Sequence, residues 1–305
     1  MTTRSLIHHQ LSHWEPYLAL MRLDRPVGTL LLLWPTLAAL WIAAEGPPGW
    51  RLLVVFTIGT FLMRAAGCVI NDFADRHWDG AVRRTAQRPL ATGAIAPLNA
   101  LLLFAVLAGL AACLLLFLNN LTRWLAVGGL AIATLYPFMK RWTYLPQVVL
   151  GAAFSWGIVM AFAAVGNSVP ASGWLMFVAS VVWIVGYDTL YAMVDREDDL
   201  QVGIKSTAIL FGSADRFMVG VLQAGTVASL ALLGSQLHYG ALFYVGLLAI
   251  SGLFAHQQVL IRRREPAACF AAFTNNTWVG LCLFAAVVLE TWVGESIALA
   301  LEGWL

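Results

Sequence analysis

The chain is short of charge. Asp, Glu, Lys and Arg make up 11% of its 305 residues, against roughly 25% in an ordinary soluble domain. That shortage excludes a fully water-exposed surface. The 60% of hydrophobic residues points to the bilayer as solvent instead. Net charge is scarce too. At +2 the chain lacks the basic excess of a nucleic-acid binder, and no nucleic acid is expected as a partner. Only four cysteines occur, Cys68, Cys113, Cys269 and Cys282, without CxxC spacing. They read as packing residues in or beside apolar runs, not as a disulfide or zinc framework. No His or Cys stands at zinc-ligand spacing from the acidic residues, and no carboxylate or cysteine accompanies His8, His9 and His13 at ligand spacing. Alternating apolar segments are missing as well, which excludes a transmembrane barrel. The first residues show neither a cleavable signal nor a transit peptide, so the first apolar run is expected to direct insertion.

What is present is a series of continuous apolar runs of about 18–22 residues, the length of membrane helices. The expected fold is an all-α integral membrane protein with nine transmembrane helices. The spans fall near 27–44, 52–71, 97–118, 120–138, 146–165, 172–194, 216–235, 240–260 and 268–289. Residues 1–26 read as an interfacial arm, 27–290 as a single helical domain and 291–305 as a tail. Two long polar loops, 72–96 and 195–215, stand out as caps.

Nine spans put the two ends on opposite sides. Of the eighteen Lys and Arg, sixteen lie in the arm or around the loops after even-numbered spans; only Arg51 and Arg123 lie elsewhere. The positive-inside rule then places the N-terminus and both caps in the cytoplasm and the C-terminus outside. Asp72 and Asp195 lie 123 residues apart, each ending an even-numbered span. That spacing is compatible with two parallel four-helix units.

The scarce acids are concentrated. Three of the sixteen fall in the stretch Asn71 to Asp79, and Asp72, Asp75 and Asp79 follow the i, i+3, i+7 rule for one helix face. A second group, Asp188, Asp195, Asp198 and Asp199, follows another apolar run. Asp188, Asp195 and Asp199 align within about 20° at 100° per residue. A carboxylate near hydrocarbon costs on the order of 2.5–3.5 kcal/mol, and clustered carboxylates repel. A hard cation that accepts a few carboxylates together with phosphate oxygens, Mg²⁺, resolves both problems. Asn71 adds a neutral oxygen one turn before Asp75.

Cations crowd the same ends: Arg22, Arg25, Arg76, Arg83, Arg84, Arg88, Lys140, Arg141 and Lys205. Arg83, Arg84 and the run Arg262–Arg264 are assigned to topology and anionic headgroups. Arg76, Lys140 and Arg141 are read as counter-charges for a diphosphate. A charged mouth on an apolar bundle suits a prenyl diphosphate, whose tail enters hydrocarbon while its head stays polar. The apolar walls would keep water from an allylic cation.

The motifs Asn71-Asp72-Phe73-Ala74-Asp75-Arg76-His77-Trp78-Asp79 and Tyr187-Asp188-Thr189-Leu190-Tyr191-Ala192-Met193-Val194-Asp195-Arg196-Glu197-Asp198-Asp199 carry a resemblance. The chain resembles the UbiA superfamily of intramembrane aromatic prenyltransferases, and within it the branch that prenylates 4-hydroxybenzoate for ubiquinone. Arg22 to Thr29, Arg84 to Leu90, Tyr136 to Arg141 and Gly203 to Thr207 add matches. The resemblance implies nine helices around a central cavity in a bacterial inner membrane. It implies Mg²⁺ held by Asn71 and Asp75 on one side and by Asp195 and Asp199 on the other, with Asp79 in support. Arg22, Arg76, Lys140, Lys205 and Asp188 would bind substrate. Arg141 would meet either the acceptor's carboxylate or the diphosphate, and Asp195 would help orient the acceptor phenol. Asp72 would hold a loop. The implied substrates are a polyprenyl diphosphate and 4-hydroxybenzoate, and the implied surroundings are the lipid bilayer, with room for contact with other quinone-biosynthesis proteins.

Two other readings compete. A sister enzyme would use another acceptor, such as a naphthoate, homogentisate or haem; the Tyr187 to Met193 stretch argues against it. A cation transporter would carry its acids near mid-span and away from cations.

Overall fold

The computed structural model describes residues 14–294. The expectations for His8, His9, His13 and the tail from 295 onward lie outside the described residues. Every regular element among those described is helical. A short helix α1 covers 14–20. It is followed by α2 (Val27–Ala43), α3 (Trp50–Asp75), α4 (Pro97–Leu114), α5 (Asn120–Trp142), α6 (Pro146–Gly166), α7 (Ala171–Val202), α8 (Thr207–Phe211), α9 (Asp215–Gln236), α10 (Ala241–Leu260) and α11 (Pro266–Leu289).

The boundaries follow from local chemistry. Pro97, Pro146 and Pro266 open α4, α6 and α11, where the missing N–H costs nothing. Asn119 caps α5, its side chain accepting from the Thr122 N–H at 2.9 Å. Gly203, at φ +75, stops α7 in the left-handed conformation that glycine adopts freely.

Eight of these helices, with their short 3-10 or helical extensions, are long and apolar enough to cross a membrane. The shorter α2 has 17 residues, about 25 Å at 1.5 Å per residue. The expected nine spans therefore resolve into eight long apolar helices and one short one. Exposed Trp14, Trp50, Trp124, Trp142 and Trp174 stand at or near helix ends, while Trp278 is exposed midway along α11. Amphipathic indoles favour the membrane–water interface, so the five near helix ends suit a multi-pass membrane protein.

The core lies between α2, α6, α7 and α11, with Leu31, Leu40, Ile158, Met176, Trp183, Ile184 and Val279 buried in it. Helix α7 packs on α6, α9 and α11 and has 32 residues. That is about 48 Å of helix, well beyond a hydrocarbon core of about 30 Å. The excess corrects the cap expected over 195–215: residues 195–202 continue α7, and α8 follows after a short turn. The first cap is shortened likewise, because Asp72 and Asp75 still belong to α3. Its polar part begins at Arg76.

Candidate active site

The end of α3, the extension of α7, the last turn of α5 and the first cap meet at one end of the bundle. The carboxylates there are buried: Asp72 is 1% exposed, Asp75 3%, Asp79 5%, and Asp195 and Asp199 9% each. Burial of this many acids requires partners, and cations from distant parts of the chain supply them for all but Asp199, which forms no ion pair among the described residues.

On the α3 side, Lys140 at the end of α5 forms an ion pair with Asp75 Oδ2. The other oxygen, Asp75 Oδ1, is buried with no hydrogen-bond partner among the described residues. Tyr136, one turn before Lys140, donates its hydroxyl to Asn71 Oδ1 at 3.2 Å. Arg22 holds both oxygens of Asp72 at 3.0 and 2.8 Å, and Arg88 reaches Asp72 at 3.0 Å and Asp79 at 3.1 Å. Asp72 thus ties the amino-terminal arm, α3 and the cap together. Burial pushes Asp79 up to about 6 from its ordinary 3.8, against the opposing pull of Arg88.

On the α7 side, Arg84 donates Nε to Asp195 Oδ1 at 2.8 Å and Nη2 to Oδ2. Its guanidinium also bonds the Tyr191 hydroxyl and lies 4.4 Å from the centre of that ring. Arg83 engages Asp198 through its backbone N–H and its Nε, each at 3.0 Å. These contacts correct the assignment of Arg83 and Arg84 to topology and lipid headgroups. They clasp the second acidic face, and no local spacing signals a pairing across 111 residues.

Three expected substrate cations are turned to backbone or aromatic partners. Arg76 donates to the Phe73 carbonyl at 2.7 Å and stacks over the Phe73 ring. Arg141 donates to the Ala74 carbonyl and stands 4.3 Å from the centre of the Trp78 ring. Lys205 points its Nζ at the Trp142 carbonyl, 3.5 Å away, while its backbone N–H donates to Lys140 O at 3.0 Å.

One residue escaped the sequence reading. Arg64 lies inside α3, two turns before Asn71. Its Nη1 donates to Cys68 Sγ at 2.6 Å, and its guanidinium sits 5.8 Å from the centre of the Phe154 ring. Among the described residues no carboxylate forms an ion pair with it. Asp188, Tyr136, Tyr187 and Tyr191 share its surroundings. The available signal was an arginine within an apolar run, itself a mark of function.

Among the described residues, no three His, Cys, Asp or Glu side chains form a ready metal cage. Mg²⁺ does not ask for one. It takes one or two carboxylates and completes its shell with water and phosphate oxygens. The donors here are all oxygens, and Asp75 Oδ1 is a buried acceptor without a partner. The residues fit such an ion.

The UbiA prenyltransferase family matches residues 32–292. A 4-hydroxybenzoate octaprenyltransferase from Pseudomonas syringae pv. syringae is 56% identical over 277 residues, covering 91% of this chain and 93% of that protein. One from Coxiella burnetii is 56% identical over 283 residues, covering 93% and 98%. Among solved structures, the apo UbiA homolog from Aeropyrum pernix K1 superposes with a TM-score of 0.75 at 23% identity, over 86% of this chain and 97% of that one. A UbiA homolog from Archaeoglobus fulgidus bound to GPP and Mg²⁺ gives 0.69 at 20% identity, over 90% and 99%.

Proposed function

The chain belongs to the UbiA prenyltransferase family, and from that premise we propose that it transfers a polyprenyl group, octaprenyl by the names of its relatives, from its diphosphate to the ring carbon ortho to the hydroxyl of 4-hydroxybenzoate. Diphosphate leaves, and the product enters ubiquinone synthesis. The enzyme works in a bacterial inner membrane, with nine spans counting α2, and its site opens to the cytoplasm. The observation that carries this reading is the convergence of two acidic helix ends through Lys140, Arg84 and Arg88, with Asp75 Oδ1 left free.

Asn71 and Asp75 from α3 and Asp195 and Asp199 from α7 would hold Mg²⁺, with Asp79 behind them. When bound, Mg²⁺ supplies neutralising charge for the departing diphosphate. Lys140 and Arg84, already at the acids, are placed to share that charge as the allylic C–O bond breaks. Arg22, Arg76 and Lys205 line the approach. The apolar interior receives the prenyl chain and excludes water from the allylic cation. Arg64 would take the acceptor's carboxylate; on sequence grounds Arg141 is the candidate for either that carboxylate or the diphosphate. Arg64 is a half-buried cation that forms no ion pair among the described residues, about 10.5 Å along α3 from Asn71 at 1.5 Å per residue. A ring with a carboxylate at one end and a hydroxyl at the other spans much of that interval. The hydroxyl end then faces Asn71 and the acids, and Asp188 flanks the ring.

The test is a membrane assay with labelled 4-hydroxybenzoate, a polyprenyl diphosphate and Mg²⁺. Product is expected, EDTA should abolish it, and Asp75→Ala and Asp195→Ala should each lose at least about a hundredfold in rate, the scale of losing one key electrostatic group. Full activity in either variant would overturn the shared-site reading. No product with any aromatic acceptor would overturn the enzyme class.

A further inference from the structure

The extension of α7 is held by an ion cluster that takes no part in the chemistry above. Asp215, the first residue of α9, is completely buried. Its Oδ2 accepts from Arg196 Nη2 at 2.6 Å and its Oδ1 from Arg264 Nε at 2.8 Å. Arg196 Nη2 also donates to the carbonyls of Ala208 and Gly212, at 2.6 and 3.2 Å. Arg264 stands at φ +56 in the turn between α10 and α11, and its Nη2 donates to the Ser213 carbonyl at 2.7 Å. One carboxylate therefore joins the end of α7, the corner between α8 and α9, and the turn between α10 and α11.

Arg196 sits next to Asp195 and three residues before Asp199, about 100° around the helix from Asp195. A twist of α7 that moved the two acids would have to break the Arg196 bonds. A second tie acts in the same sense: Thr189 Oγ1 and Thr207 Oγ1 are 2.7 Å apart, and the Thr207 N–H donates to Gln147 of α6 at 3.1 Å. Buried charge networks with satisfied partners tolerate few alternative registers, and removing one member leaves the others buried and unpaired.

We propose that Arg196, Asp215 and Arg264 are positioning residues for the acidic face of α7. They fix its rotation so that Asp195 and Asp199 face the end of α3. They touch no substrate, and their role rests on the reading of Asp195 and Asp199 as metal and diphosphate residues.

The test compares full-length Asp215→Asn, Arg264→Ala and Arg264→Lys with wild type and with Asp195→Ala, all in nanodiscs. Three quantities are read: Mn²⁺ binding by EPR in the presence of inorganic diphosphate, backbone deuterium uptake over residues 195–205, and the KM of each substrate. Asp215→Asn and Arg264→Ala should weaken Mn²⁺ binding about tenfold, as loss of support behind metal ligands does. They should raise deuterium uptake and the diphosphate KM, and leave the KM for 4-hydroxybenzoate unchanged. Arg264→Lys should recover most of the loss. If Asp215→Asn does not fold, Arg264→Ala decides alone. Wild-type Mn²⁺ binding and uptake in the folded variants, with Asp195→Ala inactive, would overturn the positioning role only. A fully active Asp195→Ala would overturn the site reading on which it stands.

Discussion

Arg84 grips both carboxylate oxygens of Asp195 across 111 residues of sequence. The same guanidinium lies on the face of Tyr191, one turn earlier on α7. Four residues further along the cap, Arg88 holds Asp72 and Asp79. The first cap is therefore a strap with one arginine on each acidic face. Ion pairs of this kind, largely removed from water and with paired oxygens, hold geometry better than exposed ones.

Removal of the Arg84 guanidinium should loosen the strap where it meets α7. A charge-assisted hydrogen bond contributes about 1.5–3 kcal/mol, or about ten- to a hundredfold in an equilibrium. Arg84→Ala should raise the KM for polyprenyl diphosphate by that range. Arg84→Lys should recover only part of it, because a single ammonium cannot hold both oxygens and stack on Tyr191. Steady-state kinetics in membranes check this, and an unchanged diphosphate KM in Arg84→Ala counts against a role for the strap.

Asp79 gives the site a pH signature. Its folded pKa, about 6, lies above its ordinary 3.8 because burial disfavours the charge. A raised carboxyl pKa means that the folded state binds the proton more tightly than the unfolded state. Its contribution to stability is therefore complete below about 3.8 and is lost as pH rises through about 6. Function runs the other way, since only the ionised form pairs fully with Arg88. Between pH 7 and 5 the wild-type diphosphate KM should rise more steeply than that of Asp79→Asn, which has lost this proton site. Thermal unfolding in detergent should show wild type losing stability relative to Asp79→Asn as pH climbs from about 4 to 7, with the steepest change between the ordinary 3.8 and the folded value of about 6. Parallel pH profiles of the two proteins, in KM or in unfolding temperature, would remove Asp79 as the source.

The acids were readable in sequence because helix periodicity and scarcity act together. Asp72 and Asp75 share a face of α3, and charge is so rare in this chain that any cluster needs a cause. Asp79, expected on the same helix face, lies past the end of α3 in a separate 3-10 turn and reaches the site through Arg88. The reach of α7 was not readable. Residues 195–202 are polar, so hydropathy ends the span near Val194, although the backbone hydrogen bonds run on to the stop at Gly203. The partners of Arg83, Arg84 and Arg88 were not readable either. Which acid an arginine meets is decided by how the cap folds back over α7 and α3, and no local pattern encodes that. Arg64 was visible as a charge in an apolar run, yet its solitude became apparent only once its neighbours were placed.

That solitude allows a change of acceptor binding without damage to the fold. Gly28 on α2 faces the Arg64 guanidinium, and a methyl group at Gly28 would overlap its Nη2, Nε and Cζ. The obstacle is the far end of a long side chain, so Arg64 should swing aside while α2 keeps its place. Gly28 is the second residue of α2 at a helical, negative φ, where alanine is tolerated at least as well as glycine, so Gly28→Ala should unfold no earlier than wild type. The displaced guanidinium should meet the 4-hydroxybenzoate carboxylate poorly. Loss of about 1.4 kcal/mol raises the acceptor KM about tenfold, and the KM for polyprenyl diphosphate, bound at the other end of the site, should hold. Arg64→Ala should give the same split more strongly, since no cation then remains within the apolar part of α3. A Gly28→Ala enzyme with an unfolding temperature and acceptor KM both equal to wild type would place the carboxylate away from Arg64. A rise in both KM values together would mean that the substitution disturbs the whole site and not the acceptor end alone.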